Sequence, residues 1–406
     1  MKEKTFVVIG GGQAGIQVCN SLRNSGFEGK LILIGDESFL PYQRPPLSKS
    51  FLLGEIGEER LLFRPQAHFE KQAIDVILST RVIAIDTTTK EIKLKNGTKI
   101  AYEKLALTTG TRVRKLDCEG ANNPKMYYIR NLNDSIALKT KLAEVGRVAI
   151  VGGGFVGLEV AAVARKMGKC VTVIEAEKRL MGRVVSPMLS EFYNDLHQKN
   201  GVSLMLDTQI DKVQESDDCV TLFANQENCL ESDIVVVGIG ALANDELASG
   251  AGIKCDRGIV VDERCVTSDQ DVVAAGDCTI HYNEYARKSV RLESVQNAVD
   301  QAKVAASAML NGDIIYAQVP WFWSDQYDAK LQIAGISGGY DQHLRAGDLG
   351  DNKFSIFYFK DNNLIAADSI NDPACHMAVR KILAKKNASI ADIEENIGNL
   401  NGFAKL

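Results

Sequence analysis

The sequence lacks most of what would take a chain out of the ordinary globular class. Its 406 residues hold no apolar run near the roughly 20 that a membrane span requires; "DIVVVGIGALA" (233–243) is among the longest. There is no basic tail and no long run of one charge: 47 basic residues stand against 52 acidic, a net charge of -5. No nucleic-acid partner and no membrane are therefore expected. The nine cysteines (Cys19, Cys118, Cys170, Cys219, Cys229, Cys255, Cys265, Cys278 and Cys375) form no C-x-x-C pair. That speaks against a zinc site or a disulfide framework and suits small buried hydrophobes in a reducing compartment. "MKEKTFVVIGGGQAG" runs from a short apolar stretch straight into glycines, without the small-residue cleavage site of an export signal, so a cytoplasmic location is expected. Only two tryptophans occur, Trp321 and Trp323, both inside "PWFWSDQY".

What is present in quantity is aliphatic residues and glycine: 45% hydrophobic composition and 34 glycines, enough to bury the cores of two or three domains. "TFVVI" (5–9) reads as a strand, and Gly10, Gly12 and Gly15 follow at G-x-G-x-x-G spacing. The first glycine turns the chain, the second lets backbone approach a pyrophosphate, and the third allows close packing of the helix that follows. The phosphates would then rest on that helix's positive N-terminal end. A second strand, "KLILIGDE", ends near Asp36, 21 positions after Gly15, where a carboxylate accepts from a ribose diol.

The whole device recurs. "RVAIV" (147–151) leads into Gly152, Gly154 and Gly157, a helix through Arg165, and a strand "CVTVIE" ending at Glu175. Two complete units predict two dinucleotide sites, and the natural pairing is FAD, tightly held, with a nicotinamide dinucleotide as substrate. A carboxylate at Glu175 favours a free 2'-hydroxyl, so NADH is expected over NADPH; neighbouring Lys178 and Arg179 weigh the other way.

Residues 74–109 alternate like a β-meander with a tight turn at "KNGT", and 211–240 repeat that scheme. A strand within 259–278 ends in Gly276 and Asp277, and a helical pattern follows from Val295 to Leu310. From Pro320 the pattern changes to short strands closing with a helix over 374–386. The expected class is α/β: two Rossmann-like dinucleotide-binding domains plus a small α+β C-terminal domain, an organisation that resembles the glutathione-reductase type. The expected boundaries are a discontinuous FAD domain (1–110 and 243–318), a NAD domain (111–242) and the C-terminal domain (319–406).

With these motifs in view, the chain resembles the NADH-dependent ferredoxin reductases that serve cytochrome P450 and Rieske-type oxygenases, from Val7 to about Ala384. The resemblance rests on "RPPLSK" (44–49), "GGGFVGLE" (152–159), "AAGDC" (274–278), "RLESVQNA" (291–298) and "PWFWSDQY" (320–327). It implies that Ala14, Asp36, Arg44, Lys49, Val82, Arg130, Asp277 and Val295 face FAD, with Lys49 beside the reactive edge of the ring. It places the Glu159 carboxylate near the nicotinamide, gives Gly238 and Gly240 to the NADH backbone, and lets Trp321 or Trp323 cover the flavin. The competing reading of Lys49 is a first-turn residue of a helix capped by Ser48, and that of the tryptophans is plain core.

Lys49 and Glu159 are the candidate catalytic residues. The implied activity is hydride uptake from NADH followed by single-electron delivery to a [2Fe-2S] ferredoxin. Disulfide reductases of this fold relay through cysteines after the first glycine helix; here Tyr42, Gln43 and Arg44 stand instead, and Cys19 should be buried. An acidic ferredoxin calls for a local basic patch, with Arg64, Arg287 and Lys288 as candidates. Rubredoxin reductase, monodehydroascorbate reductase and a redox-switched binding protein of the apoptosis-inducing-factor kind remain alternatives, and the chain could act as a monomer or homodimer.

Overall fold

A computed structural model describes residues 4–225, 227–385 and 387–405. The chain divides into two compact units. One comprises the chain to Gln43, Leu61–Arg112 and Leu242–Phe322; the other comprises Arg44–Arg60, Val113–Ala241 and the chain from Trp323 onward.

The first unit is organised by a five-stranded parallel sheet in the order Val272–Ala274, Lys104–Leu107, Thr5–Ile9, Lys30–Ile34, Ile74–Ile77. Its strands are nearly continuous aliphatic runs because both faces are covered. Val8, Leu31 and Leu33 pack under helices Gln13–Asn24 and Val295–Met309. Val7, Ile9 and Leu105 face the antiparallel meander Val82–Asp86, Glu91–Leu94, Lys99–Ala101. The turn at "KNGT" forms as expected, with Gly97 at φ +89°. Ile74–Ile77 is a correction to the reading of 74–109 as one meander: it is the edge of the parallel sheet, and Lys104–Leu107 is an inner strand of that sheet. A hairpin of Thr279–Asn283 and Lys288–Val290 follows Asp277 and had no counterpart in the sequence reading.

The second unit repeats the plan with Val202–Met205, Cys170–Ile174, Arg147–Val151, Ile234–Val237 and Met126–Tyr127, all parallel. Its own meander is Lys212–Glu215, Val220–Ala224, Glu227–Ser232. Helix Phe155–Lys166 is buried along most of its length, which explains its run of Val and Ala. All but Trp321 and Phe322 of an antiparallel sheet ordered Trp321–Gln326, Ala329–Gly335, Asn363–Ile370, Lys353–Lys360, Gln342–Asp348 also lie in this unit. Strand Lys353–Lys360 is buried on both faces. Phe354, Ile356 and Tyr358 pack with Leu189, Phe192 and Tyr193, while Phe357 and Phe359 pack with Val379 and Ile382 of helix Pro373–Lys385. Residue 386 of the expected helix lies outside the described residues. Two short helices, Ile390–Asn396 and Leu400–Phe403, follow and were not anticipated.

Candidate functional site

Both glycine turns are tight for the reasons their spacing suggested. A Cβ on Gly10, which sits at φ +117°, would lie 2.1 Å from the Thr108 carbonyl oxygen, and one on Gly15 would lie 1.9 Å from the Gly10 carbonyl oxygen. In the second unit a Cβ on Gly152 would lie 2.5 Å from the Gly238 carbonyl oxygen, and one on Gly157 2.1 Å from that of Gly152. The middle glycines differ. Gly12 faces open space, and Gly154 has nothing nearer than 4.0 Å. Gly12 and Gly154 cap helices Gln13–Asn24 and Phe155–Lys166, and neither helix has a side-chain cap. By contrast, Asn131, Ser186 and Ser294 close the helices that follow them. The two glycine helices thus begin without a side-chain cap and with room at the middle glycine, the arrangement a pyrophosphate needs. These residues fit a dinucleotide at each turn.

Around the first turn, Ala14 is buried and lies 3.1 Å from the Cβ position of Gly276, so Asp277 follows directly on the glycine turn. Gly276 N–H donates to Gln301 Oε1 at 2.9 Å, which fixes that approach. Asp36 is exposed just beyond strand Lys30–Ile34. Val295 opens the helix capped by Ser294, Val82 opens the meander, and the Trp321 N–H donates to Gln296 Oε1 at 3.2 Å. Arg64, Arg287 and Lys288 are all exposed.

Around the second turn, Glu175 is held by backbone: Oε2 accepts from Gly153 N–H at 2.6 Å and Oε1 from Glu177 N–H at 2.9 Å. The Arg179 guanidinium is engaged elsewhere, donating to the Val185 carbonyl (2.8 Å), Ser190 Oγ (2.7 Å) and the Gly182 carbonyl (2.5 Å). Of the two cations near Glu175, only Lys178 is exposed. Gly240 takes φ +109° beside the second sheet.

The two candidate catalytic side chains meet. Lys49 Nζ lies 2.7 Å from Glu159 Oε1, with side-chain exposures of 19% and 4%. Lys49 Nζ also donates to the Pro45 carbonyl at 3.3 Å. Glu159, fifth in its helix and so just past the first turn, accepts from Ser48 Oγ at 2.5 Å and Ser324 Oγ at 2.7 Å. The Ser48 hydroxyl is therefore spent on Glu159 and is not a helix cap, and Lys49 sits at the joint between a 3-10 turn, Pro45–Ser48, and helix Ser50–Leu53. Nearby, Arg44 donates to the Arg130 carbonyl at 2.8 Å, and Asp134 Oδ2 accepts from Arg130 N–H at 2.9 Å. Sequence reasoning missed Ser48 and Ser324. The available signal was period-two alternation in "WFWSDQ", which turns Ser324 away from the tryptophans.

A charge pair whose carboxylate is buried, together with two open-ended glycine helices, defines a two-dinucleotide oxidoreductase. The family model described as pyridine nucleotide-disulphide oxidoreductase matches residues 4–302, and that described as reductase C-terminal matches 321–396. Rhodocoxin reductase from Rhodococcus erythropolis is 42% identical over 94% of this chain and 89% of its own. The solved ferredoxin reductase for the CYP199A2 system from Rhodopseudomonas palustris superposes with a TM-score of 0.95 at 39% identity, covering 99% of this chain and 100% of that one. The covalent putidaredoxin reductase–putidaredoxin complex gives a TM-score of 0.94 at 34% identity, covering 99% of each chain. The chain belongs to the pyridine nucleotide-disulphide oxidoreductase family and, within it, to the ferredoxin reductases. It is an oxidoreductase using FAD and a nicotinamide dinucleotide. Among the described residues no helix is long and apolar enough to cross a membrane, and no group of three or more His, Cys, Asp or Glu side chains could hold a metal ion.

Proposed function

We propose that this protein takes a hydride from NADH and delivers single electrons to a [2Fe-2S] ferredoxin feeding a cytochrome P450 or Rieske oxygenase. When bound, FAD supplies the conversion between two-electron and one-electron chemistry. The observation that carries the reading is that the Lys49–Glu159 pair, its carboxylate buried, and no pair of cysteines, is what the chain builds. All nine cysteines are free, Cys19 is fully buried, and Tyr42 donates to Glu37.

We assign 1–110 with 243–318 to the FAD domain, 111–242 to the NAD domain and 319–406 to the C-terminal domain; within the first, Arg44–Arg60 packs with the second compact unit. In this scheme Gly10, Gly12, Ala14, Gly15 and Asp36 hold the adenosine diphosphate portion of FAD, and Asp277 takes the ribityl chain. Val82, Val295, Arg44 and Arg130 line the flavin, and Trp321 covers it. Gly152, Gly154, Gly157, Glu175, Gly238 and Gly240 hold NADH. Lys49 places a cation beside the reactive ring edge, where it favours the anionic reduced form, and Glu159 orients that cation. Backbone-held Glu175 disfavours a 2'-phosphate, so NADH is preferred. The protein works in the cytoplasm as a monomer or homodimer.

The test is anaerobic NADH titration followed by mixing with a [2Fe-2S] ferredoxin, with rubredoxin and ascorbate radical as competing acceptors. Fast reduction of the ferredoxin alone is expected. Slow transfer to every iron-sulfur acceptor would transfer support to the redox-switched binding protein. Charge reversal at Arg287 and Lys288 should slow ferredoxin reduction, with a weakened salt dependence, while dye reduction by NADH is spared. If both activities fall together, these residues are not the docking patch.

A further inference from the structure

The Lys49–Glu159 pair is the visible end of a longer buried chain. Ser324 Oγ, 2.7 Å from Glu159 Oε1, lies 3.2 Å from Gln326 Nε2, and Gln326 Oε1 lies 2.9 Å from His197 Nε2. None of the three side chains is more than 1% exposed.

The direction of donation follows from the carboxylate end. Glu159, paired with the Lys49 ammonium, only accepts, so the single Ser324 hydroxyl proton goes to it. The Ser324 oxygen must then accept from the amide nitrogen of Gln326, which turns the amide oxygen toward His197. An amide oxygen only accepts, so His197 donates from Nε2. Burial lowers the His197 pKa to about 4, leaving a neutral ring whose one proton is on Nε2 and whose Nδ1 has no partner among the described residues. Every group has one role, and none can be reversed without placing two acceptors face to face.

The strand Trp321–Gln326 makes this possible by alternation: Ser324 and Gln326 are buried while Asp325 between them is exposed. We propose that Ser324, Gln326 and His197 are positioning residues that hold the Glu159 carboxylate, and through it the Lys49 ammonium, in the geometry the redox reaction uses. The inference rests on the function proposed above for Lys49 and Glu159.

Ser324→Ala removes the only proton that joins the chain to the carboxylate. In the holoprotein, flavin reduction at saturating NADH should slow roughly ten- to hundredfold, the loss of one hydrogen bond to a charged group. Ser324→Thr, which keeps the hydroxyl, should restore most of that rate. Gln326→Met breaks the same chain one step back, so the double variant with Ser324→Ala should be no slower than Ser324→Ala alone, whereas independent packing defects would add.

A readout apart from turnover is the infrared carboxylate stretch of Glu159 in the purified protein, identified by its disappearance in Glu159→Gln. It should move in Ser324→Ala and return toward its wild-type position in Ser324→Thr. Wild-type rates with an unmoved band, or additive losses accompanied only by lowered thermal stability, would overturn the inference. A wild-type protein that holds no flavin or ignores NADH would instead defeat the functional reading, while the infrared band would still decide whether the chain orders Glu159.

Discussion

Replacing Glu175 by Gln should compress the preference for NADH over NADPH, and the structure allows the size to be worked out. The carboxylate is half-buried and anchored by the N–H groups of Gly153 and Glu177 at 2.6 and 2.9 Å, so it cannot swing away from an incoming 2'-phosphate. At about 5 Å, a unit charge pair is worth roughly 1 to 3 kcal/mol for effective dielectric constants between about 80 and 20. That corresponds to roughly fivefold to a hundredfold in kcat/KM. Gln is isosteric and keeps one oxygen for Gly153 N–H, while its amide nitrogen faces Glu177 N–H and that bond is lost, so the turn should keep its shape at some cost in stability. NADH loses a charge-assisted bond to its ribose diol while NADPH loses a repulsion, and the ratio of the two kcat/KM values should fall about ten- to a hundredfold. The assay is dye reduction with each nucleotide under saturating acceptor. An unchanged ratio, or an equal loss for both nucleotides, would refute the assignment. Arg179→Ala is the control: its guanidinium already serves three acceptors, so the variant should lose thermal stability and leave the NADPH rate where it was.

Gly15→Ala places a Cβ 1.9 Å from a backbone oxygen, a clash that requires helix Gln13–Asn24 to move off its strand; the protein should be purified colourless or insoluble, and a yellow variant with wild-type flavin content would contradict the packing argument. Alkylation under native conditions should modify exposed Cys170 before buried Cys19 and Cys265, whose thiol pKa values burial raises, and NADH-driven reduction of an iron-sulfur acceptor should persist; its loss would point to a thiol relay. Burial raises the Asp368 pKa to about 7, with a partly opposing hydrogen bond from Tyr358 at 2.7 Å. Because the folded-state value lies above the unfolded one, the stability from the protonated form is complete below about pH 4 and is lost as pH rises toward 7, by about 4 kcal/mol at most. Asp368→Asn should flatten the fall of Tm between pH 4.5 and 7.5 seen in the wild type by differential scanning calorimetry, and an identical pH slope in both would show that Asp368 is not its source.

The two dinucleotide turns were legible because their constraints are local. Gly10 and Gly15 answer to each other across five residues, and the strand before and the helix after declare themselves by periodicity in the same short window. Local signal also misled. Ile74–Ile77 is buried only at Ile74, with Asp75 exposed and Val76 and Ile77 half-buried, because it closes the edge of the parallel sheet and has one less-covered side. The hairpin Thr279–Asn283 with Lys288–Val290 was invisible for a related reason: its first strand carries His281 and Asn283 inside, polar side chains that a hydrophobicity pattern assigns to solvent.

The partners of Glu159 show where reading a single chain must stop. Ser48 and Ser324 reach it from 111 and 165 positions away, and nothing in either neighbourhood names a carboxylate as the destination. In "PWFWSDQY" the tryptophans attract attention because large aromatics dominate burial area. Yet two uncharged polar residues on the opposite face of that strand, Ser324 and Gln326, both buried, carry the more specific information. A buried serine or glutamine is costly unless every donor and acceptor is matched, so its presence in a core strand implies a partner even when the sequence cannot say which. Such a residue next to a conspicuous motif is the place to look for what orders a functional side chain, and Ser324 meets that condition on both counts: it is sealed from solvent, and its one proton has a single carboxylate to go to.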